Sequence, residues 1–291
     1  MTNRLTYAAA CVAAVFASPL AAQDTGAPPQ TPEIAPETIF AGDWVTLGVG
    51  AAFNASYDGS DDTVISPLPL IQGSLAGIEI NPRPAGLALD FIPDRNGKVG
   101  LNLGVAAKLN RNRADQIEDE VVLAYGELDT AIEVGPTFGI SIPKLLNPFD
   151  SLTIGADVLW DVAGAHEGMT INPSVSYFTP VSRGAAVSFA LSARHVDDDY
   201  AAYYYSVPVA PTTLAAADRL PVFNAEGGFD KVGATLLAAL DFDGDITNGG
   251  FVGYAITGYS LLVGDAADTP FTSIRGSRDQ WLIGGGIGYT F

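Results

Sequence analysis

Large apolar side chains alternate with small or polar ones at a two-residue period along most of this chain. In 45–54, Val45, Leu47, Val49, Ala51 and Phe53 share one face and Thr46, Gly48, Gly50, Ala52 and Asn54 the other. In 99–110, Val99, Leu101, Leu103, Val105, Ala107 and Leu109 alternate with Gly100, Asn102, Gly104, Ala106, Lys108 and Asn110. The stretch 132–142 sets Ile132, Val134, Phe138, Ile140 and Ile142 against Glu133, Gly135, Thr137, Gly139 and Ser141. Successive side chains of a strand point to opposite faces, so each stretch predicts a strand with one greasy face. Looser versions cover 70–80, 86–92, 152–162, 171–179, 186–194, 231–243 and 250–262. The turn-rich clusters "PDRNGK", "LNPFD", "VSRG" and "DFDGDITNGG" separate them. Helical periodicity is weak, and "TTLAAADRL" is the best short helix candidate.

Several of these strands run to about ten residues, the length a tilted strand needs to cross a bilayer. Soluble strands are shorter, most often ~5–6 residues. Alternation alone leaves two architectures, a soluble ligand-binding barrel with its apolar face inward or a membrane barrel with that face outward. The opposite face favours the second, being rich in Gly, Ala, Ser, Thr and Asn, with Lys108, Glu133 and Asp157 among them. Aromatics near strand ends (Trp44, Tyr57, Trp160, Tyr177, Trp281, Tyr289) suit interfacial girdles. Strands cross hydrocarbon only as a closed ring. The expected fold is an all-β, transmembrane, antiparallel up-and-down barrel of about twelve strands, with ten as the alternative. On the last strand Trp281, Ile283, Ile287, Tyr289 and Phe291 share one parity, resembling the assembly signal that barrel-insertion machinery reads.

The beginning of the chain adds a compartment. Residues 1–22 read as a secretory signal, with Arg4 before an apolar run and small residues at the cut. Residues 23–42 are proline-rich and read as a periplasmic linker, leaving 43–291 for the barrel. The single cysteine, Cys11, lies in the signal, so a mature chain offers neither disulfide nor thiolate metal site. A net charge of -19 repels a phosphate backbone and excludes nucleic acid as a partner. With 48% hydrophobic residues beside it, that charge belongs in loops.

Candidate chemistry is sparse. "YDGSDD" offers Asp58, Asp61 and Asp62 for calcium or a cation bridging lipopolysaccharide phosphates; a solvated turn is the plainer reading. Asp241, Asp243 and Asp245 have EF-hand-like spacing, but Gly244 is misplaced and the closing glutamate is missing, so a hairpin turn is favoured. "HVDDDY" groups His195 with Asp197, Asp198 and Asp199 as an acidic loop. His166, beside Glu167, permits a hydrolytic triad with Asp161 and Ser174 to be drawn, but no nucleophile or oxyanion hole stands out and a hydrogen-bonded loop histidine is the favoured reading. Tyr200, Tyr203, Tyr204 and Tyr205 suit stacking on glycan, packing a partner, or an interfacial girdle. No catalytic residue, cofactor or metal ligand is assigned. Tyr57, Asp61, His166, Tyr203, Tyr204, Asp265 and Asp268 are kept as loop residues for a partner or ligand.

Specific stretches carry a resemblance: "GVGAAFNASYDGSDD" with "SPLPL", then "AHEGMTINPSVSYF", "DDDYAAYYYSV", "NAEGGFDKVG", "LLVGDAADTPF" and "GGGIGYTF". In this order they resemble the MltA-interacting protein (MipA/OmpV) family across nearly the whole mature chain. Ser206 stands where the family usually has glycine, and Thr269 where serine commonly precedes proline. The resemblance implies an outer-membrane barrel, in contact with outer-membrane lipid and lipopolysaccharide and inserted by the barrel-assembly machinery. It also implies a non-enzymatic scaffold whose partners are a murein lytic transglycosylase and a penicillin-binding synthase. The alternatives are a small diffusion pore, a stress- or adhesion-related barrel, and a lipid hydrolase centred on His166.

Overall fold

The computed structural model describes residues 38–92 and 99–291. The expected signal, 1–22, lies outside the described residues, as does the linker up to residue 37. Its last residues form a 3-10 turn, Ile39–Ala41, tied by the Ile39 amide to the Thr247 carbonyl at 3.0 Å.

Thirteen strand segments make one sheet: β1 (Trp44–Ala55), β2 (Thr63–Pro67), β3 (Leu70–Leu75), β4 (Ile78–Arg83), β5 (Gly86–Asp90), β6 (Gly100–Asn110), β7 (Ala131–Pro143), β8 (Ser151–Asp161), β9 (Met169–Ser182), β10 (Ala185–Val196), β11 (Gly228–Asp241), β12 (Gly250–Leu262) and β13 (Asp279–Thr290). All pairings are antiparallel, and β13 returns to β1 from Thr46↔Thr290 to Phe53↔Ile283. The ring is closed. β2 and β3 pair with β1 in one register (Ala51↔Pro67, Gly48↔Leu70) and are two halves of a single crossing. The thirteen segments therefore make the expected twelve-stranded barrel.

The greasy parity faces outward. Val99, Leu101, Leu103 and Val105 are 62%, 60%, 52% and 43% exposed. Lys108 turns inward, onto Glu133 at 3.0 Å. Trp281, Ile283, Ile287, Tyr289 and Phe291 are exposed at the opposite end of the belt's circuit. In water such a surface would be untenable; against acyl chains it is the surface a barrel needs. Short turns (Ala76–Gly77, Arg183–Gly184) lie at the end of the barrel that carries the chain's C-terminus, and long loops at the other. By the rule for such barrels the long loops are extracellular and the short turns periplasmic.

Three local expectations are corrected. The stretch 70–80 is not one strand but the β3–β4 hairpin, turning where Ala76 and Gly77 both take positive φ, 52° and 80°. That is the geometry of a two-residue hairpin loop. β2 was not foreseen, because "SPLPL" carries two residues that cannot donate to a ladder. "TTLAAADRL" forms turns, and the helices lie elsewhere in the loops.

The small parity of the last strand has a specific cause. Tyr254 of β12 lies across it, its hydroxyl donating to the Leu68 carbonyl at 2.7 Å. A Cβ at Gly50 would sit 2.3 Å from the Gly285 carbonyl and 2.8 Å from the Tyr254 oxygen, and one at Gly286 2.3 Å from the Val49 carbonyl and 2.5 Å from that oxygen. The glycines are the bed for that ring. Gly286→Val should therefore destabilise the barrel by about 1–3 kcal/mol, the usual cost of overpacking. Its urea midpoint should fall, and adding Tyr254→Ala should recover only part of the loss, since the Val49 carbonyl still crowds the new side chain.

Candidate functional site: a loop cap in the barrel mouth

The extracellular loops fold over and into the barrel mouth. They carry α1 (Glu120–Ala124), α2 (Asp198–Tyr205), α3 (Asp265–Asp268) and α4 (Pro270–Ser273). Each longer helix begins on an aspartate that accepts free first-turn amides: Asp119 from Val121 and Val122, Asp197 from Tyr200. Two apolar clusters make the cap solid. Tyr200, Tyr204 and Tyr205 pack with Val196, Leu262 and Ala266. Tyr57 packs with Val121, Val122, Val207, Leu220 and Phe271. A single antiparallel bridge, Val207↔Phe223, pins the long loop to itself.

Ion pairs fasten this cap to the wall. Asp58, from the first loop, reaches Arg194 of β10 at 2.8 Å and also Lys231 of β11. Arg194 is shared with Asp230 at 2.7 Å, and the Tyr205 hydroxyl donates to the same carboxylate at 2.7 Å. Burial alone would raise the Asp58 carboxyl; the Lys231 ammonium and the Arg194 guanidinium outweigh it and hold it well below the usual range. Burial pushes the Tyr200, Tyr204 and Tyr205 hydroxyls up, so all three stay neutral. Arg113 stacks 4.1 Å over the Phe271 ring, and burial pulls its guanidinium down to about 10.

Below the cap the polar lumen residues are engaged with one another. Glu133 is fully buried and meets Lys108 at 3.0 Å, Asn110 at 2.9 Å and Thr170 at 3.2 Å. Arg83 meets Asp157 at 2.7 Å, and Asn102 donates to Asp90 at 2.6 Å. A charge in a low-dielectric interior needs such a partner.

The residues singled out in sequence are divided by this geometry. Tyr57, His166 and Tyr204 turn inward and are 3%, 4% and 1% exposed, so they build the cap instead of facing a partner. Tyr57 is accordingly no girdle residue; Trp160 and Trp281 remain exposed at the belt. Tyr203 is half-buried, its hydroxyl accepting the Asp129 amide at 2.9 Å. Asp61 lines an open depression of about 680 Å³ with Asp62, Glu118, Asp119 and Arg275. Asp265 is half-exposed and accepts the Glu226 amide, while Asp268 is exposed.

The drawn triad does not assemble. Asp161 accepts the backbone amides of Ala163 and His166, at 2.9 Å each, and of Glu167 at 3.2 Å. His166 Nδ1 accepts the Gly168 amide at 3.0 Å, and its Nε2 faces Glu133 at 3.6 Å. Ser174 sits in the β9 ladder opposite Gly155 and Ser192. The calcium readings dissolve in the same way. Asp58 is spent on cations, Asp241 accepts the Asp243 amide at 2.9 Å, and Asp245 pairs with Arg183. His195 packs edge-on against Phe229 at 5.2 Å. Among the described residues no group of three or more His, Cys, Asp or Glu is arranged for a metal ion. The cap itself left a faint trace in sequence: Asp119 and Asp197 each precede a short apolar or aromatic run.

A mouth covered by packed, ion-paired loops predicts electrical silence. Reconstituted barrel in a planar bilayer should pass no steady current at neutral pH, and Asp58→Asn should make it leak. Because the folded Asp58 carboxyl is depressed, its contribution is complete above about pH 4, the ordinary aspartate value. It fades as pH falls from there through the lower folded value. Wild-type current should accordingly appear only in that acid range; steady conductance at neutral pH would show that the cap does not seal.

Among curated proteins none matches this chain in sequence. Solved outer-membrane barrels match it weakly. An outer-membrane channel from Pseudomonas putida F1 aligns over 89% of this chain and 99% of its own, at 12% identity and a TM-score of 0.41. The Pseudomonas putida toluene transporter TodX aligns over 86% and 89%, at 9% and 0.36. OmpT of Vibrio cholerae aligns over 86% and 97%, at 11% and 0.32. Likeness at this level bears on neither substrate nor role. The family described as MltA-interacting protein MipA matches residues 47–291, the closed wall from the fourth residue of β1 onward together with its cap. This outer-membrane barrel belongs to the MipA family.

Proposed function

We propose that the barrel is a non-enzymatic scaffold that holds a murein lytic transglycosylase, and with it a penicillin-binding synthase, at the inner face of the outer membrane. The family's description as MltA-interacting supports a transglycosylase as the first partner. The observation that carries the periplasmic placement is the turn 144–150. Leu146 and Phe149 stand out from it at 78% and 75% exposure. Its frame is rigid: the Asp150 carboxylate accepts the amides of Leu145, Leu146 and Asn147 at 2.7, 2.9 and 3.0 Å and the Tyr177 hydroxyl at 2.7 Å. An apolar tip on a preorganised loop loses little entropy when it docks. Phe242, in the turn 242–249, is also exposed and extends the same side.

The lumen supports a scaffold better than a diffusion pore, since its Lys108, Glu133, Arg83 and Asp157 are paired and its mouth is capped. The outward Trp281, Ile283, Ile287, Tyr289 and Phe291 serve on this view as the signal for barrel insertion. Leu146→Asp with Phe149→Asp should abolish capture of transglycosylase and synthase from periplasmic extract by the solubilised barrel. The variant should keep the wild-type barrel's resistance to unfolding in detergent. Capture equal to wild type moves the interface elsewhere, and no capture by wild type above an unrelated barrel removes the scaffold role.

A further inference from the structure

Among the described residues the wall has an unzipped seam, and both of its lips are built to stay that way. The β3–β4 ladder stops after Gly73↔Ile80, Ser74↔Glu79 and Leu75↔Ile78. Above it the β4–β5 hairpin turns at Pro84–Ala85, so among the described residues no strand lies beside the edge of residues 63–72 that faces β4. The Leu68 amide donates to Gly50 of β1 at 2.9 Å. In an antiparallel ladder alternate residues turn their backbone to opposite neighbours. Ile65, Pro67, Pro69 and Ile71 therefore turn theirs to the seam, as Gly73 does to Ile80. On the other lip, the same alternation from Ile80 turns Pro82 and Pro84 to the seam. Continued in register, Ile71 would meet Pro82, and Pro69 would meet Pro84. The first rung lacks one N–H and the second lacks both. The seam cannot zip, and its edge is a poor template for a strand from another chain.

Carbonyls left in hydrocarbon need donors, and side chains supply two of them. Arg83 Nη1 donates to the Pro82 carbonyl at 3.2 Å and Gln116 Nε2 to the Ile65 carbonyl at 3.5 Å. Arg83 also leans across the lumen to Asp157 on β8, which tethers the hairpin tip on the side away from β3. By register, Pro67 lies level with Ala51 of β1 and Gly285 of β13, at mid-height of the wall and so within the hydrocarbon layer. The inner surface beside the seam is apolar. Leu68 and Leu70 of this crossing, with Val252 and Ile256 of β12 and Leu282 of β13, face the lumen and are only half-buried. The opposite inner wall, from β5 to β10, carries the charged and hydroxyl groups.

We propose that the β3–β4 seam is a lateral portal through which the acyl chain of a bilayer lipid enters the apolar side of the lumen. Hydrocarbon surrounds the opening, prolines keep it free of ladder bonds, and an apolar surface receives what enters. With the outer mouth capped by packed loops, the surrounding bilayer is the source that lies against the opening.

The test places a benzophenone photo-crosslinking residue at Leu70, inside the seam, and another at Asn102 on the polar inner wall. The full barrel is reconstituted in phosphatidylcholine vesicles and irradiated, and lipid adducts are read by mass spectrometry. Adduct is expected at position 70 and not at 102. A second pair of substitutions, Ile71→Cys with Pro82→Cys, staples the lips on oxidation; no other cysteine lies in residues 12–291. Oxidation should abolish the adduct at 70 and reduction restore it. Pro69→Val with Pro84→Val, which returns both N–H groups of the second rung, should lower it without any cross-link. No adduct at position 70, or an adduct that survives both the staple and the restored ladder, overturns the portal.

Discussion

A backbone amide or carbonyl in hydrocarbon must find its partner within the protein, and the rest of the structure follows from that demand. It forces the ring to close, which β13 does on β1 across eight register pairs. Closure assigns each parity a side, so one face of every crossing meets lipid and the other looks inward. The same demand explains the exception. Where β3 and β4 part, Pro67, Pro69, Pro82 and Pro84 remove donors that no ladder would satisfy. A break made of ordinary residues would strand those amides at several kcal/mol each.

Charge is handled by the complementary rule. The chain has 33 acidic and 14 basic residues, so cations are the scarce component. Arg83, Lys108, Arg194 and Lys231 are all spent inside the barrel, on Asp157, Glu133, Asp230 and Asp58. Surplus acids remain on loops and turns, where water solvates them. Two of these four cations fix the cap, so the first loop's Asp58 couples the mouth's closure to the wall's own electrostatics. A loop held this way is part of the folded barrel and not a lid hanging from it.

The wall was legible in the sequence because a two-residue period survives any sequence-distant packing. β6, β7 and β12 fall where alternation puts them, and twelve crossings were expected. The hairpin at Ala76–Gly77 was not legible, since it lacks the Asn-Gly or Asp-Gly that normally marks such a turn. β2 was hidden by its prolines. The cap was least legible, for burial of Tyr57, His166 and Tyr204 depends on contacts between segments more than thirty residues apart, such as Tyr57 with Val121 and Phe271. Sequence proximity allowed Asp161 and His166 to be drawn as catalytic partners, although a loop histidine was favoured, and the carboxylate is taken by loop amides. A polar residue in a turn answers first to the nearest unpaired amide.

The cap, the seam and the periplasmic turn occupy different levels of the barrel, and each uses a different face. A cap that blocks the aqueous route makes the lumen's apolar half unreachable from outside, yet Leu68, Leu70 and Ile256 are left half-exposed within it. Each part of an inward apolar surface left in contact with water costs about 25 cal/mol per Å². Evolution of a pure anchor for murein enzymes would fill that space with larger side chains, as Tyr254 fills the glycine bed beside it. The unfilled side lies next to the one place where the wall is not hydrogen-bonded. A chain drawn from the bilayer satisfies both features at once: it covers the apolar lumen surface and it occupies a seam that backbone cannot close.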